Sequence, residues 1–160
     1  MDKADIPAPD WQVSRWFNGA SLRLADLRGK VVVLHAFQML CPGCVVHGLP
    51  QAQRIHEAFR PEEVAVIGLH TVFEHHEAMN DTALAAFIHE FRYGFPIGVD
   101  QTEPGHGAPL TMRRYGLRGT PSLVLIDGTG RIRYHSFGRD DDLRVGARIA
   151  ALLGGSTGLR

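Results

Sequence analysis

Val31-Val32-Val33-Leu34-His35-Ala36-Phe37-Gln38-Met39-Leu40-Cys41-Pro42-Gly43-Cys44 runs from an apolar, β-branched segment straight into a pair of cysteines. Residues 31–37 read as a buried strand, because a strand covered on both faces needs no polar alternation. The residues after it read as a helix entrance. Pro42 fits the first helical position, where its missing N–H costs nothing and its fixed φ is already helical. Cys41 is then the cap residue. Its sulfur lies beside unpaired backbone N–H groups and the positive end of the helix dipole, which favour a thiolate. Residues i and i+3 of a first turn sit about 5–6 Å apart, which matches the Cα separation of a disulfide. Cys41 is therefore placed to attack a disulfide, and Cys44, deeper in the turn, to resolve the mixed species.

Outward from this centre the elements alternate. Residues 49–59 are helix-like and stop before Pro61; 64–69 form a second apolar strand. Asn80-Asp81-Thr82 can cap a helix whose Leu84, Phe87, Ile88 and Phe91 fall at i, i+3, i+4 and i+7, with Gly94 closing it. Residues 95–99 read as a strand and 110–115 as a short helix ended by Gly116. Strands 123–126 and 131–137 join across Asp127-Gly128-Thr129-Gly130, a turn rather than a phosphate loop. A last helix starts at Asp140-Asp141-Asp142, where the macrodipole favours acids, and runs to about Leu153. On the N-terminal side, Pro7-Ala8-Pro9 is extended. Segments 11–16 and 21–24, separated by Asn18-Gly19, predict a β-hairpin. Such alternation ending in a hairpin and a helix describes an α/β sheet with helices on both faces.

Composition sets bounds on function. The chain has 160 residues and 44% hydrophobic content, one domain's worth of sequence, read as a single domain over 1–160 with its core at about 6–153. Lys plus Arg total 17 and Asp plus Glu total 17, so no cationic excess points to nucleic acid. No apolar run approaches the roughly 20 residues that cross a bilayer. Met1-Asp2-Lys3-Ala4-Asp5 has no apolar stretch behind it, so no secretory leader is read and a cytoplasmic location is expected. Two cysteines do not make a disulfide scaffold.

At this point the pair also admits half of a zinc site, or two structural thiols. Zinc needs a second CxxC or a histidine pair; there is no second cysteine pair, but nine histidines are available. His75-His76, between Glu74 and Glu77, and His106, between two glycines, read as solvated loops. Arg113-Arg114 and Arg131/Arg133 read as solvated faces, and Trp11, Trp16 and Phe37 as packing.

Residues 37–50 resemble the active-site stretch of the thioredoxin superfamily, and the longer frame its TlpA/ResA-like branch, grouped with AhpC/TSA redoxin domains. Pro7-Ala8-Pro9-Asp10-Trp11 is similar to the family's Pro-Ala-Pro-Asp-Phe opening, and Leu24-Ala25-Asp26-Leu27-Arg28-Gly29-Lys30 to its approach to the central strand. Gly119-Thr120-Pro121, Leu125-Ile126-Asp127 and Gly130 follow in the family's order. The resemblance implies a thioredoxin-like three-layer fold: a mixed central sheet flanked by helices, with an N-terminal β-hairpin. It implies a protein thiol–disulfide oxidoreductase with Cys41 as nucleophile and Cys44 as resolving thiol. A cis Pro121 would face the pair, and Thr120, Pro121 and Pro42 would bind substrate. Partners would be protein thiols or disulfides and an upstream reductant or oxidant, met by a monomer with no cofactor beyond the cysteines. His35 stands where relatives carry a buried Asp or Asn, and His47 where ResA-like proteins often have Glu. Each is a candidate to accept a proton from Cys44 or to tune it; the alternatives are a core and a solvated histidine. Gln38-Met39-Leu40 departs from the family's Ala-Ser/Thr-Trp. Two other activities stay in view. A peroxiredoxin-like peroxidase would need Pro and Thr where Leu34 and Gln38 stand, and a metal carrier would use Cys41, Cys44 and a histidine.

Overall fold

Seven strands form one mixed sheet, and the burial of the third explains its order. They are β1 (Ile6–Pro7), β2 (Val13–Phe17), β3 (Val31–Phe37), β4 (Val64–His70), β5 (Ile97–Asp100), β6 (Ser122–Ile126) and β7 (Arg131–Phe137). This computed structural model describes residues 5–160; the first residues, on which the leader reading rests, lie outside them. β3 is buried at every position, so it occupies the middle of the order β1-β7-β6-β3-β4-β5-β2. It pairs in parallel with β4 and antiparallel with β6. Alternate side chains of a strand leave on opposite faces. Val31, Val33 and Phe37 enter one core, while Val32, Leu34 and Ala36 enter the other.

Helices cover both faces unequally. The helices α1 (Leu49–Ala58), α2 (Asp81–Phe91) and, later in the chain, the C-terminal one (Asp142–Leu152) bring Leu49, Ala52, Ile55, Leu84, Ile88, Val145 and Ile149 to the first core. The second core is closed by the short α3 (Leu110–Arg114), a 3₁₀ turn over Leu24–Leu27, and Trp11. The C-terminal helix, α4, starts where the three acids predict: Asp141 accepts the Arg144 N–H at 3.1 Å. Asn80 caps α2 in the same way, from the Ala83 N–H at 2.9 Å. That helix ends at Arg92, in the left-handed region at φ 58°, before reaching Gly94.

Among the described residues the N-terminal β-hairpin expected over 11–24 does not form. Asn18 does take the left-handed backbone its turn requires, at φ 61°. Its side-chain amide, however, donates to the Tyr93 and Phe95 carbonyls at 2.7 and 3.1 Å, which ties the turn to the α2–β5 connection. β2 therefore pairs antiparallel with β5, and residues 21–24 stay outside the sheet. Local turn chemistry was legible; the partner strand was a tertiary choice. Trp11 and Trp16 pack edge to face, with ring centroids 6.2 Å apart.

Candidate active site

β3 delivers the cysteine pair at its C-terminal end, where the chain turns into the helix that continues as α1. The backbone is helical from Pro42, so Cys41 is the cap. The Cys44 and Val45 N–H groups both donate to the Cys41 carbonyl, at 3.0 and 3.1 Å. The Cys44 N–H also faces the Cys41 sulfur at 3.3 Å. This is the capping geometry of a Ser or Asp carried out by a thiol.

Residues Cys44–Gly48 form a π turn, closed by the Leu49 N–H on the Cys44 carbonyl. Pro50 accounts for it. A proline has no N–H for the carbonyl four residues back, and a wider turn absorbs the interruption.

Both cysteines are free, Cys41 half-buried and Cys44 buried. The Cys41 thiol donates to the Thr120 carbonyl at 3.4 Å. Thr120-Pro121 is a cis peptide, as the resemblance implies, and Pro121 packs on the helix entrance: a Cβ built on Gly43 would lie 3.3 Å from its ring. Burial pushes the Cys44 thiol up to about 12, and the neighbouring Cys41 thiol adds to this. The Gln38 backbone N–H and the Thr120 hydroxyl work the other way, both donating to the Cys44 sulfur.

His35 lies under this helix. Its ring fills the space a Gly48 side chain would need: a Cβ there would come within 2.6 Å of the imidazole and 3.0 Å of the Pro121 Cβ. Burial alone pulls the imidazole down to about 4, so it is neutral at pH 7. Its Nδ1 is buried without a hydrogen-bond partner among the described residues. His47 is half-buried and lines a polar crevice with Arg54, Arg139, Asp140, Asp141 and Asp142 on the flank of the helix. The structure thus brings Cys41, Cys44, Pro42, Thr120, Pro121 and His35 together; His47, on the flank of the helix, also lines a small cavity with His35 and Gly48.

Gly48→Ala is expected to destabilise the protein by about 1–3 kcal/mol, the usual cost of overpacking a filled interior. It should also lower activity, because the same Cβ presses on Pro121. A urea midpoint and an activity assay on that variant check both; an unchanged midpoint would show that His35 yields freely.

Two residues at the site escape a reading by motif. His70, at the end of β4, is buried; its Nε2 accepts the Met39 N–H at 3.4 Å and its ring lies 5.1 Å from that of Phe37. It holds the bend before Cys41 from the neighbouring strand, and burial pulls it too down to about 4. Gln38 is 1% exposed and bonds two separate loops: its Nε2 donates to the Thr120 Oγ1 at 3.3 Å, and its Oε1 accepts the Phe73 N–H at 3.2 Å. A signal for Gln38 was present, since a polar side chain stands there where the family has Ala. For His70 there was none beyond its place at a strand end.

The other candidates disperse. His75, His76 and His106 are exposed, and no group of three or more His, Cys, Asp or Glu side chains among the described residues is arranged to hold a metal. Leu34 is core. Arg131 and Arg133 pair with Asp5 and Asp127, and Arg113 pairs with Glu103.

A seven-stranded mixed sheet that presents two free thiols at a helix cap, opposite a cis-proline loop, defines a thioredoxin-like redoxin with a CxxC pair. The chain belongs to the AhpC/TSA family, whose model matches residues 5–135. Among solved structures it is similar to a thioredoxin-like superfamily protein, at 58% identity and TM-score 0.91, covering 94% of this chain and 97% of that one. It is also similar to a thiol-disulfide isomerase from Corynebacterium glutamicum, at 50% identity and TM-score 0.88, covering 93% and 98%. Curated relatives include ResA of Bacillus anthracis, a thiol-disulfide oxidoreductase, at 25% identity over 78% of this chain. DipZ of Mycobacterium bovis matches at 29% identity over 84% of this chain. The chain spans 64% of the length of that ResA and 19% of that DipZ. No helix among the described residues is long and apolar enough to cross a membrane.

Proposed function

We propose that the chain exchanges disulfides with polypeptide substrates through Cys41-Pro42-Gly43-Cys44. One observation carries this reading: the half-buried Cys41 sulfur lies between the Cys44 N–H at 3.3 Å and the Thr120 carbonyl at 3.4 Å, with Cys44 buried behind it. In the reducing direction the Cys41 thiolate attacks a substrate disulfide and releases one substrate thiolate. Cys44 then attacks Cys41, the second substrate sulfur leaves, and the pair ends as a disulfide. His35, an imidazole kept neutral by burial and packed under Gly48, one helical turn beyond Cys44, is the candidate proton acceptor for that second step. Thr120 and Pro121 supply the backbone against which an extended substrate lies.

The surroundings favour a polypeptide substrate over a small oxidant. Leu40, Val46 and Phe137 are 58%, 64% and 52% exposed. Leu40 precedes Cys41, Val46 lies in the π turn, and Phe137 packs over Gly119, ahead of the cis peptide. Single exposed apolar side chains are ordinary; three on the segments that carry the pair and lead into its proline loop offer apolar surface to a polypeptide.

Reduced protein is expected to accelerate insulin-disulfide reduction by dithiothreitol and to consume hydrogen peroxide no faster than a free dithiol does. Peroxide turnover outpacing insulin reduction would move the assignment to a peroxidase.

A further inference from the structure

Cys44 has to become an anion in a place that opposes anions. It is fully buried, and no basic side chain is among the groups that act on its ionisation. Two uncharged donors favour its anion, the Gln38 backbone N–H and the Thr120 hydroxyl, and Thr120 lies against the pair, its carbonyl 3.4 Å from the Cys41 sulfur. A threonine hydroxyl has one hydrogen and two lone pairs, and its rotor points wherever its partners direct it. Here the partner is the Gln38 side chain. The Phe73 N–H occupies Gln38 Oε1 at 3.2 Å, so the amide can turn only its nitrogen toward Thr120, at 3.3 Å from Oγ1. With one Oγ1 lone pair filled by that N–H, the hydroxyl hydrogen is left for the sulfur.

We propose that Gln38 is a positioning residue for the second half of the exchange: anchored on Phe73, its amide turns the Thr120 hydroxyl onto the Cys44 sulfur. The inference rests on the oxidoreductase reading and assigns the chain of contacts that governs resolution. In the reducing direction the mixed disulfide joins Cys41 to substrate. Cys44 gives up its proton, its sulfur bonds to that of Cys41, and the bond from Cys41 to substrate breaks. The substrate sulfur leaves with the electron pair and takes up a proton; the two cysteines are oxidised and the substrate disulfide has become two thiols. Negative charge on Cys44 is greatest before the new bond forms, and a hydrogen bond to a charged group is stronger than one to a neutral thiol. In reverse, Cys44 is the leaving group when a substrate thiolate attacks Cys41, and the same hydroxyl meets the same charge. The first attack by Cys41 in the reducing direction does not use this contact.

The test separates the two steps. Reduced protein is mixed rapidly with a peptide disulfide, quenched in acid, and the mixed disulfide is counted by mass spectrometry over time. Gln38→Met and Thr120→Val are each expected to slow decay of the mixed species about tenfold or more, the size of one charge-assisted hydrogen bond, and in Gln38→Met the rate of its formation stays within about twofold. Gln38→Met added to Thr120→Val should slow decay no further, since Gln38 acts through the hydroxyl. Thr120→Ser, which keeps the hydroxyl, should restore the wild-type rate. Equal slowing of formation and decay in Gln38→Met, additive losses in the double variant, or unaltered decay in Gln38→Met each overturn the proposal alone. Should Gln38→Met fail to fold, Thr120→Val against Thr120→Ser makes the same comparison at the hydroxyl. A wild-type protein that forms no mixed disulfide overturns the oxidoreductase reading and this inference with it.

Discussion

Cys41→Ser brings insulin-disulfide reduction down to the uncatalysed background, whereas Cys44→Ser retains the first attack and stalls as a mixed disulfide. The difference comes from exposure and geometry. Cys41 is the half-buried member and Cys44 the buried one, so a polypeptide disulfide meets Cys41 first. A serine hydroxyl at 41 keeps the cap but is no thiolate, and exchange requires thiolate attack in line with a sulfur–sulfur bond. Cys44→Ser leaves that nucleophile intact and removes the sulfur that releases the product. Incubation with substrate followed by mass spectrometry without reductant should show a covalent adduct on Cys44→Ser, reversed by dithiothreitol, and none on Cys41→Ser. Comparable residual turnover in both variants would contradict the assigned roles.

Acid is expected to unfold this protein in a window set by two histidines rather than by its carboxylates. His35 and His70 are buried and each is pulled by desolvation to about 4, against an ordinary value near 6.5. Between those values the unfolded chain binds protons that the folded chain refuses. Stability is therefore fully present above about pH 6.5, falls as pH drops through the window, and stops falling on their account below about 4. Each contributes about 3 kcal/mol across the window, and the pair about 6. For His70 protonation also removes the acceptor of the Met39 N–H. His56, less buried, shifts in the same direction. Asp127 and Asp142 are held below their ordinary 3.8 by hydrogen bonds, so their loss comes at lower pH. Buried Asp100 is shifted up and offsets part of the fall. Urea midpoints at pH 7 and pH 4.5 in wild type, His35→Leu and His70→Leu check this; the variants should show flatter pH profiles. Identical slopes in all three would place the acid sensitivity elsewhere.

Much of this was readable one element at a time. Val31–Phe37 declares a buried strand by its lack of polar alternation, and Pro42 after Cys41 declares a helix start because proline suits only that turn of a helix. Asn80 and Asp141 cap the helices they precede. These signals are local: each depends on φ, a missing N–H or a side chain reaching two or three residues along the chain.

The misreadings have one source. Asn18-Gly19 makes its turn but not its hairpin, since the Asn18 amide finds the Tyr93 and Phe95 carbonyls and β2 finds β5. His70, distant from the pair in sequence, holds the bend before Cys41 through the Met39 N–H, and no local signal marks it. The amino-acid order by itself determined the strand, the capped helix and the two thiols brought within reach of one another. Only the packed fold decided which polar groups face Cys44. Burial raises the cost of its charge and long-range contacts supply the donors that oppose it, and both come from residues the chain brings together only when the sheet closes.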